Sequence, residues 1–151
     1  MKKDVEFHFK KAEDSPGFLL WQLTMLWQRT TKRELDKLDL THTQFVLLTT
    51  LAWLSKTSDS VTQVDIANHS KTDRMMVSKV LRTLEEKGLL GRQEHATDTR
   101  AKSVSLTPNG ESILQKALAT VEQVDIDFFS KLGDQEAAFK AAMLKLIQEA
   151  G

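Results

Sequence analysis

Residues Leu89 to Thr107 read LLGRQEHATDTRAKSVSLT. Val104 and Leu106 alternate with Ser103 and Ser105, the pattern of a half-buried strand. An apolar start at Leu89-Leu90 and a polar middle make the stretch two short strands around a tip. That tip carries the run Asp98-x-Arg100-x-Lys102. Leu106-Thr107-Pro108 closes the second strand and opens a helix, with threonine as cap and proline at the first helical position.

The segment just before this hairpin is TDRMMVSKVLRTLEEKG, residues 72–88. Thr72 is placed to cap a helix there, with Asp73 favourable to its dipole, and Gly88 suits a left-handed C-terminal position. Advancing each residue by about 100° places Val77, Val80, Leu81 and Leu84 on one side. Met75, Ser78, Lys79 and Arg82, with Thr72 at the start, fall on the other. Serine and threonine can donate to bases or phosphates, lysine and arginine to phosphate or guanine, and methionine can touch a thymine methyl. The helix N-terminus can itself hold a phosphate. A solvated amphipathic helix would carry the same stripe, so the neighbouring elements decide the reading.

Those neighbours are legible from their caps. Ser15-Pro16 opens a first helix reaching about Leu38. Thr41 and Gln44 form a capping box, with Leu40 and Phe45 at hydrophobic-staple positions, for a second helix to about Leu54. Thr62 with Asp65, and Val61 with Ile66, repeat that signature for a short third helix ending near Asn68. The fourth helix is the one above. A fifth runs from Pro108 to near Leu132, before Gly133, and Asp134 can cap a sixth. A short helix, a second helix with an outward polar stripe, and a hairpin make a winged helix-turn-helix. One element can enter the major groove while Arg100 at the hairpin tip reaches a narrow, electronegative minor groove. Asp98 can steady that arginine, and Arg92 and Lys102 can touch flanking phosphates.

The fold expected is therefore mainly α with a small β-hairpin wing, in the order α-α-α-α-β-β-α-α. Residues 41–106 would form the winged helix-turn-helix lobe, and residues 15–40 and 107–151 dimerisation helices. Ile113, Leu114, Ala117, Leu118, Val121, Val124, Phe128 and Phe129 recur at helical spacing, as do Phe139, Ala142, Met143, Leu146 and Ile147. Such stripes need a cover, and a second subunit can supply it.

Composition excludes several function classes. Formal net charge is zero, but residues 69–102 hold eight basic against five acidic side chains. That local excess suits moderate, salt-sensitive DNA affinity. Cysteine is absent, which removes disulfides, thiolate metal sites and thiol redox sensing. The four histidines have no ligand-like spacing, so no metal or cofactor is expected. No glycine-rich phosphate loop or evident carboxylate pair occurs, so no catalytic site is expected. No apolar run reaches membrane-spanning length and no secretory h-region is seen, so a cytoplasmic location is expected.

The chain resembles the MarR-type transcriptional regulators. The resemblance lies in residues 73–90, DRMMVSKVLRTLEEKGLL, in Arg92, Asp98-Thr99-Arg100, Val104-Ser105-Leu106-Thr107 and Gly110, and in the Thr41-x-x-Gln44-Phe45 helix opening. It implies a homodimeric repressor or activator on a pseudo-palindromic site. The DNA-contacting set it supports is Thr72, Arg74, Met75, Ser78, Lys79, Arg82, Arg92, Asp98, Arg100 and Lys102. It also implies release by a small, aromatic or anionic effector, in a region here holding Trp21, Met25, Trp27, His42 and Phe45. Core packing is the other reading of those aromatics. Two positions depart from the family pattern. Thr99 stands where a second tip arginine is frequent, and Met75-Met76 stand where small hydroxylated residues are frequent. A winged-helix module that binds protein rather than DNA is the alternative function, permitted by zero net charge and by Asp73, Glu85 and Glu86.

Overall fold

The fold was analysed in a computed structural model that describes residues 4–94 and 102–150. Helix α1 (Pro16–Asp36) starts where Ser15 accepts from the Phe18 amide at 3.2 Å. It stops two residues short of the expected Leu38, and Asp39 then turns the chain at a left-handed φ of 56°. Helix α2 (His42–Leu54) opens on the expected reciprocal box, Thr41 capping Gln44 and Gln44 reaching back.

A two-residue strand β1 (Val61–Thr62) precedes helix α3 (Gln63–Ser70), whose Thr62–Asp65 box is also formed. Lys71, at φ 56°, makes the turn into helix α4 (Arg74–Glu86). The cap of α4 differs from expectation. Asp73, not Thr72, accepts from the amides of Met75 and Met76, at 2.9 and 3.1 Å. Thr72 instead donates to the Ser70 carbonyl. The carboxylate is one residue nearer the first turn and carries the charge that the helix dipole favours.

Gly88, at φ 75°, ends α4 and leads into β2 (Leu90–Glu94) and β3 (Lys102–Leu106). The wing hairpin is joined by β1, giving an antiparallel sheet of order β1-β3-β2. Sequence patterning showed two strands. The third is only two residues long, too short for a period-2 signal, and exists because Val61 lands opposite Val104.

Helix α5 (Pro108–Phe129) is capped by Thr107, which accepts from Gly110 N at 3.0 Å and donates to the Gly88 carbonyl at 2.6 Å. It ends three residues before the expected Leu132. A 3-10 segment with Gly133 at φ 55° intervenes, and α6 (Glu136–Ala150) begins after the expected Asp134 cap.

One core joins these pieces. Leu35 of α1, Leu47, Leu48 and Leu51 of α2, Ile66 of α3, and Val77, Leu81 and Leu84 of α4 are all fully buried. Leu114 and Ala117 of α5 belong to the same cluster. By contrast, α6 buries no residue. Among the described residues no helix is long and apolar enough to cross a membrane.

Candidate nucleic-acid interface

The two sides of α4 separate as its periodicity requires. Val77, Leu81 and Leu84 anchor it, and Val80 is half-buried. On the opposite side Met75 is 82 % exposed, and Arg74, Lys79 and Arg82 are also open to solvent. Ser78 is half-buried at the edge of that stripe, as is Thr72. Helices α3 and α4 meet through the three-residue turn Lys71–Asp73, which leaves the α4 N-terminus at the lobe surface. Its first amides are partly occupied by Asp73, so an incoming phosphate there meets a carboxylate as well as the dipole.

The wing residues divide. Asp98 and Arg100 lie outside the described residues. Lys102 is exposed on β3. Arg92 does not face solvent as a phosphate contact would. Directly opposed residues of antiparallel strands share a face, and Arg92 opposes the buried Val104, which opposes the buried Val61. Arg92 thus belongs to the inner row of the sheet. Its Nη1 donates to Gln63 Oε1 at 3.4 Å and its Nε lies 3.8 Å from Glu85 Oε1.

Lys87 is also drawn away from the basic stripe. Its Nζ donates to the Asp39 carbonyl, and stands 3.4 Å from the Asp39 carboxylate and 3.5 Å from Gln44 Oε1. It helps close the turn between α1 and α2. Nothing in its helical position signals this, because its partners are more than forty residues away.

Behind α4 lies an open cleft of about 780 Å³ between α1, α2 and the start of α4. Met25, Arg29 and Lys32 of α1, His42 and Val46 of α2, and Met76 of α4 line it, with Thr72 beside them. Of the five residues placed in the effector region from sequence, Met25 and His42 are here, and Trp27 packs against His42 without lining the cleft. Trp21 is 63 % exposed and is not part of the cleft lining, and Phe45 is buried in the core. The sequence reading missed Arg29, Lys32, Val46 and Met76. The α1 cations follow Met25 at helical spacing, the signal that was available.

His42 packs against Trp27, ring centroids 5.1 Å apart, and Trp27 donates its indole N–H to Asp125 Oδ1 at 2.8 Å. Burial holds the His42 imidazole below its ordinary value of 6.5, and the Asp125 carboxylate acts against that shift.

This arrangement has close relatives. The winged-helix family described as "ArnR1-like, winged-helix domain" matches residues 36–125. The HTH-type transcriptional regulator YdcH of Bacillus subtilis is 44 % identical over 128 residues, 83 % of this chain and 87 % of that one. The chain belongs to the MarR family of transcriptional regulators. A second relative of this MarR-family chain, an HTH-type transcriptional repressor of Mycobacterium tuberculosis, is 28 % identical over 89 % of this chain and 96 % of its own. Among solved structures, the MepR–DNA complex of S. aureus superposes with a TM-score of 0.81 at 25 % identity, covering 93 % of this chain and all of that one.

Proposed function

We propose that this MarR-family regulator binds a pseudo-palindromic DNA operator as a homodimer and represses transcription there. The observation that carries the reading is the outward stripe of α4: Met75, Lys79 and Arg82 open to solvent while Val77, Leu81 and Leu84 are fully buried behind them. A helix so held can enter the major groove without unfolding its anchor, with Arg74, Ser78 and Thr72 at its margins. Arg100, with Asp98 steadying it, would reach the adjacent minor groove, and Lys102 a flanking phosphate. Repression follows the relatives whose names carry it.

The dimer rests on α6 and the N-terminal half of α1. Leu144, Leu146 and Ile147 are more than half exposed, and so are Leu20 and Trp21. Covering such surface with a second copy removes it from water at about 25 cal/mol per Å². On this reading residues 15–40 and 107–151 set the spacing of two lobes spanning residues 41–106.

The cleft behind α4 supports control by a small amphipathic anion. Met25, Val46 and Met76 offer apolar contact and Arg29 offers charge, while Lys32 is paired at 2.7 Å with Asp36, which also lines the cleft. Because Met76 and Thr72 belong to the reading helix and its turn, an occupant touches the DNA-binding element directly. Such a ligand acts only through its difference in affinity between the DNA-competent and free states.

The test is protection mapping on the DNA upstream of the protein's own coding region, with and without simple aromatic carboxylates. A two-fold symmetric footprint supports the reading. No protection there or in genome-wide selection of bound fragments, with the protein folded and dimeric, would favour the protein-binding alternative.

A further inference from the structure

Among the described residues, Arg92 at the root of the wing is a charged side chain turned toward the core, and the DNA-binding reading leaves it without a task. Arg92 occupies the β2 position whose row across the sheet is Val61, Val104 and Arg92. The first two are core residues, exposed by 3 % and 4 %. The arginine side chain itself is only 21 % exposed. Its guanidinium spans two further elements: Gln63 at the first position of α3, and Glu85 in the last turn of α4. One fork thus touches both helices of the helix-turn-helix from the root of the wing.

We infer that Arg92 is a positioning residue that fixes the direction of the wing relative to α4, and not a phosphate ligand. The inference rests on the DNA-binding reading for its consequence, but its geometry is internal to the subunit. The planar guanidinium suits the role. It donates Nη1 to an amide oxygen, while its buried Nε, which makes no hydrogen bond, lies within ion-pair range of the Glu85 carboxylate; a lysine ammonium is a single point charge on a flexible stem. Glu85, acidic and on the reading helix, would repel DNA if it stood alone. Held against Arg92 at 3.8 Å, its charge is balanced by the strand behind it. When a two-pronged grip must match the spacing between two grooves, the angle between the prongs sets how often both engage at once.

Two properties separate positioning from phosphate contact. A lost phosphate contact lowers the salt slope of log Kd by about 0.9 and is partly restored by any cation at the same place. A lost positioning residue lowers the population of the arrangement that grips both grooves, so binding weakens while the fully bound state releases the same counterions, and lysine does not restore it.

The experiment measures operator affinity of the full-length protein over about 50–200 mM salt for wild type, Arg92→Ala, Arg92→Lys and Glu85→Gln. Hydrogen exchange of the β2 and β3 amides is followed in the same unliganded proteins. The expected result is a loss of about five- to tenfold for all three variants with an unchanged slope. The double variant Arg92→Ala with Glu85→Gln should be no worse than Arg92→Ala alone, and strand amides should exchange faster in both Arg92 variants. A slope reduced by about one, with Arg92→Lys binding as wild type and Glu85→Gln neutral, would overturn the inference. If wild type itself binds no operator, the functional reading fails. The exchange data then decide the clamp alone, unchanged protection overturning it. Glu85 is 43 % exposed, so its variant folds even if the arginine variants do not.

Discussion

The indole Nε1 of Trp27 donates to Asp125 Oδ1 at 2.8 Å, joining the middle of α1 to the later part of α5 across 98 positions of sequence. His42 packs against the same indole with the two rings tilted by 60°. One aromatic ring therefore stands between α5 and the start of α2, beside the cleft behind the reading helix.

The Trp27–Asp125 bond is charge-assisted and part-buried, so its partners should be energetically coupled. Asp125→Asn is expected to cost about 1 kcal/mol and Trp27→Phe about 1–3 kcal/mol in urea unfolding, with the double variant less costly than their sum. Strict additivity would mean that the bond contributes nothing in solution.

The burial of His42 has a pH consequence. Since the folded protein holds this imidazole below 6.5, it binds fewer protons than the unfolded chain just below that pH. The stability linked to neutral His42 is complete above the ordinary value. It declines as pH falls through 6.5 toward the folded value, below which the loss is complete. Thermal unfolding from pH 8 to 5 should show this decline, and His42→Gln should flatten it. A variant with the same profile as wild type would assign the dependence to other groups.

Gly110 permits a close approach of α5 to the Leu89 backbone. A β-carbon at this position would stand 1.9 Å from the Leu89 carbonyl oxygen, a backbone atom that no rotamer change can move. Gly110→Ala should therefore destabilise the protein by about 1–3 kcal/mol, the range of core overpacking. A stability within experimental error of wild type would show that α5 can slide away from the α4–β2 junction at no cost.

The α4 cations should register as counterion release. Lys79→Ala and Arg82→Ala are each expected to reduce the salt slope of operator binding by about 0.9 if each meets one phosphate. Arg100→Ala should weaken binding with no fall in melting temperature. Retained slopes would remove the two helix residues from the interface, and full affinity of the Arg100 variant would remove the wing tip.

Dimerisation through the C-terminal helix is checked by light scattering. Leu146 and Ile147 are 70 % and 68 % exposed, so charge introduced there cannot damage this subunit's core. Leu146→Glu with Ile147→Glu should give a folded monomer with reduced operator affinity. A dimer that survives both changes would place the interface elsewhere.

Much of this architecture was written locally. The boxes at Thr41–Gln44 and Thr62–Asp65 and the caps at Ser15 and Thr107 each place a side chain within four residues of the amide it serves, and Gly88 stops α4 through its own left-handed backbone. The buried stripe of α4 follows from helical period alone. The cap choice for α4 was local but ambiguous: Thr72 and Asp73 are both good caps, and the position and charge of the carboxylate favour the second. Legibility failed where a choice depended on distance. Trp21 and Phe45 look alike as pocket aromatics, yet one is outward on α1 and the other sits in the core.

The sequence by itself determined the order of the helices, where α1, α2, α3 and α5 begin, which face of α4 is left for a partner, and that a hairpin follows it. Capping and periodicity act over a single turn, so adjacent residues suffice to specify them. Tertiary structure alone decided that Arg92 turns inward, that Lys87 closes a distant turn, that Val61 adds a third strand, and that a cleft forms between Arg29 and Met76. Each of these depends on strand register or helix approach. Those quantities are set by how the whole core packs, and no local window of sequence carries them.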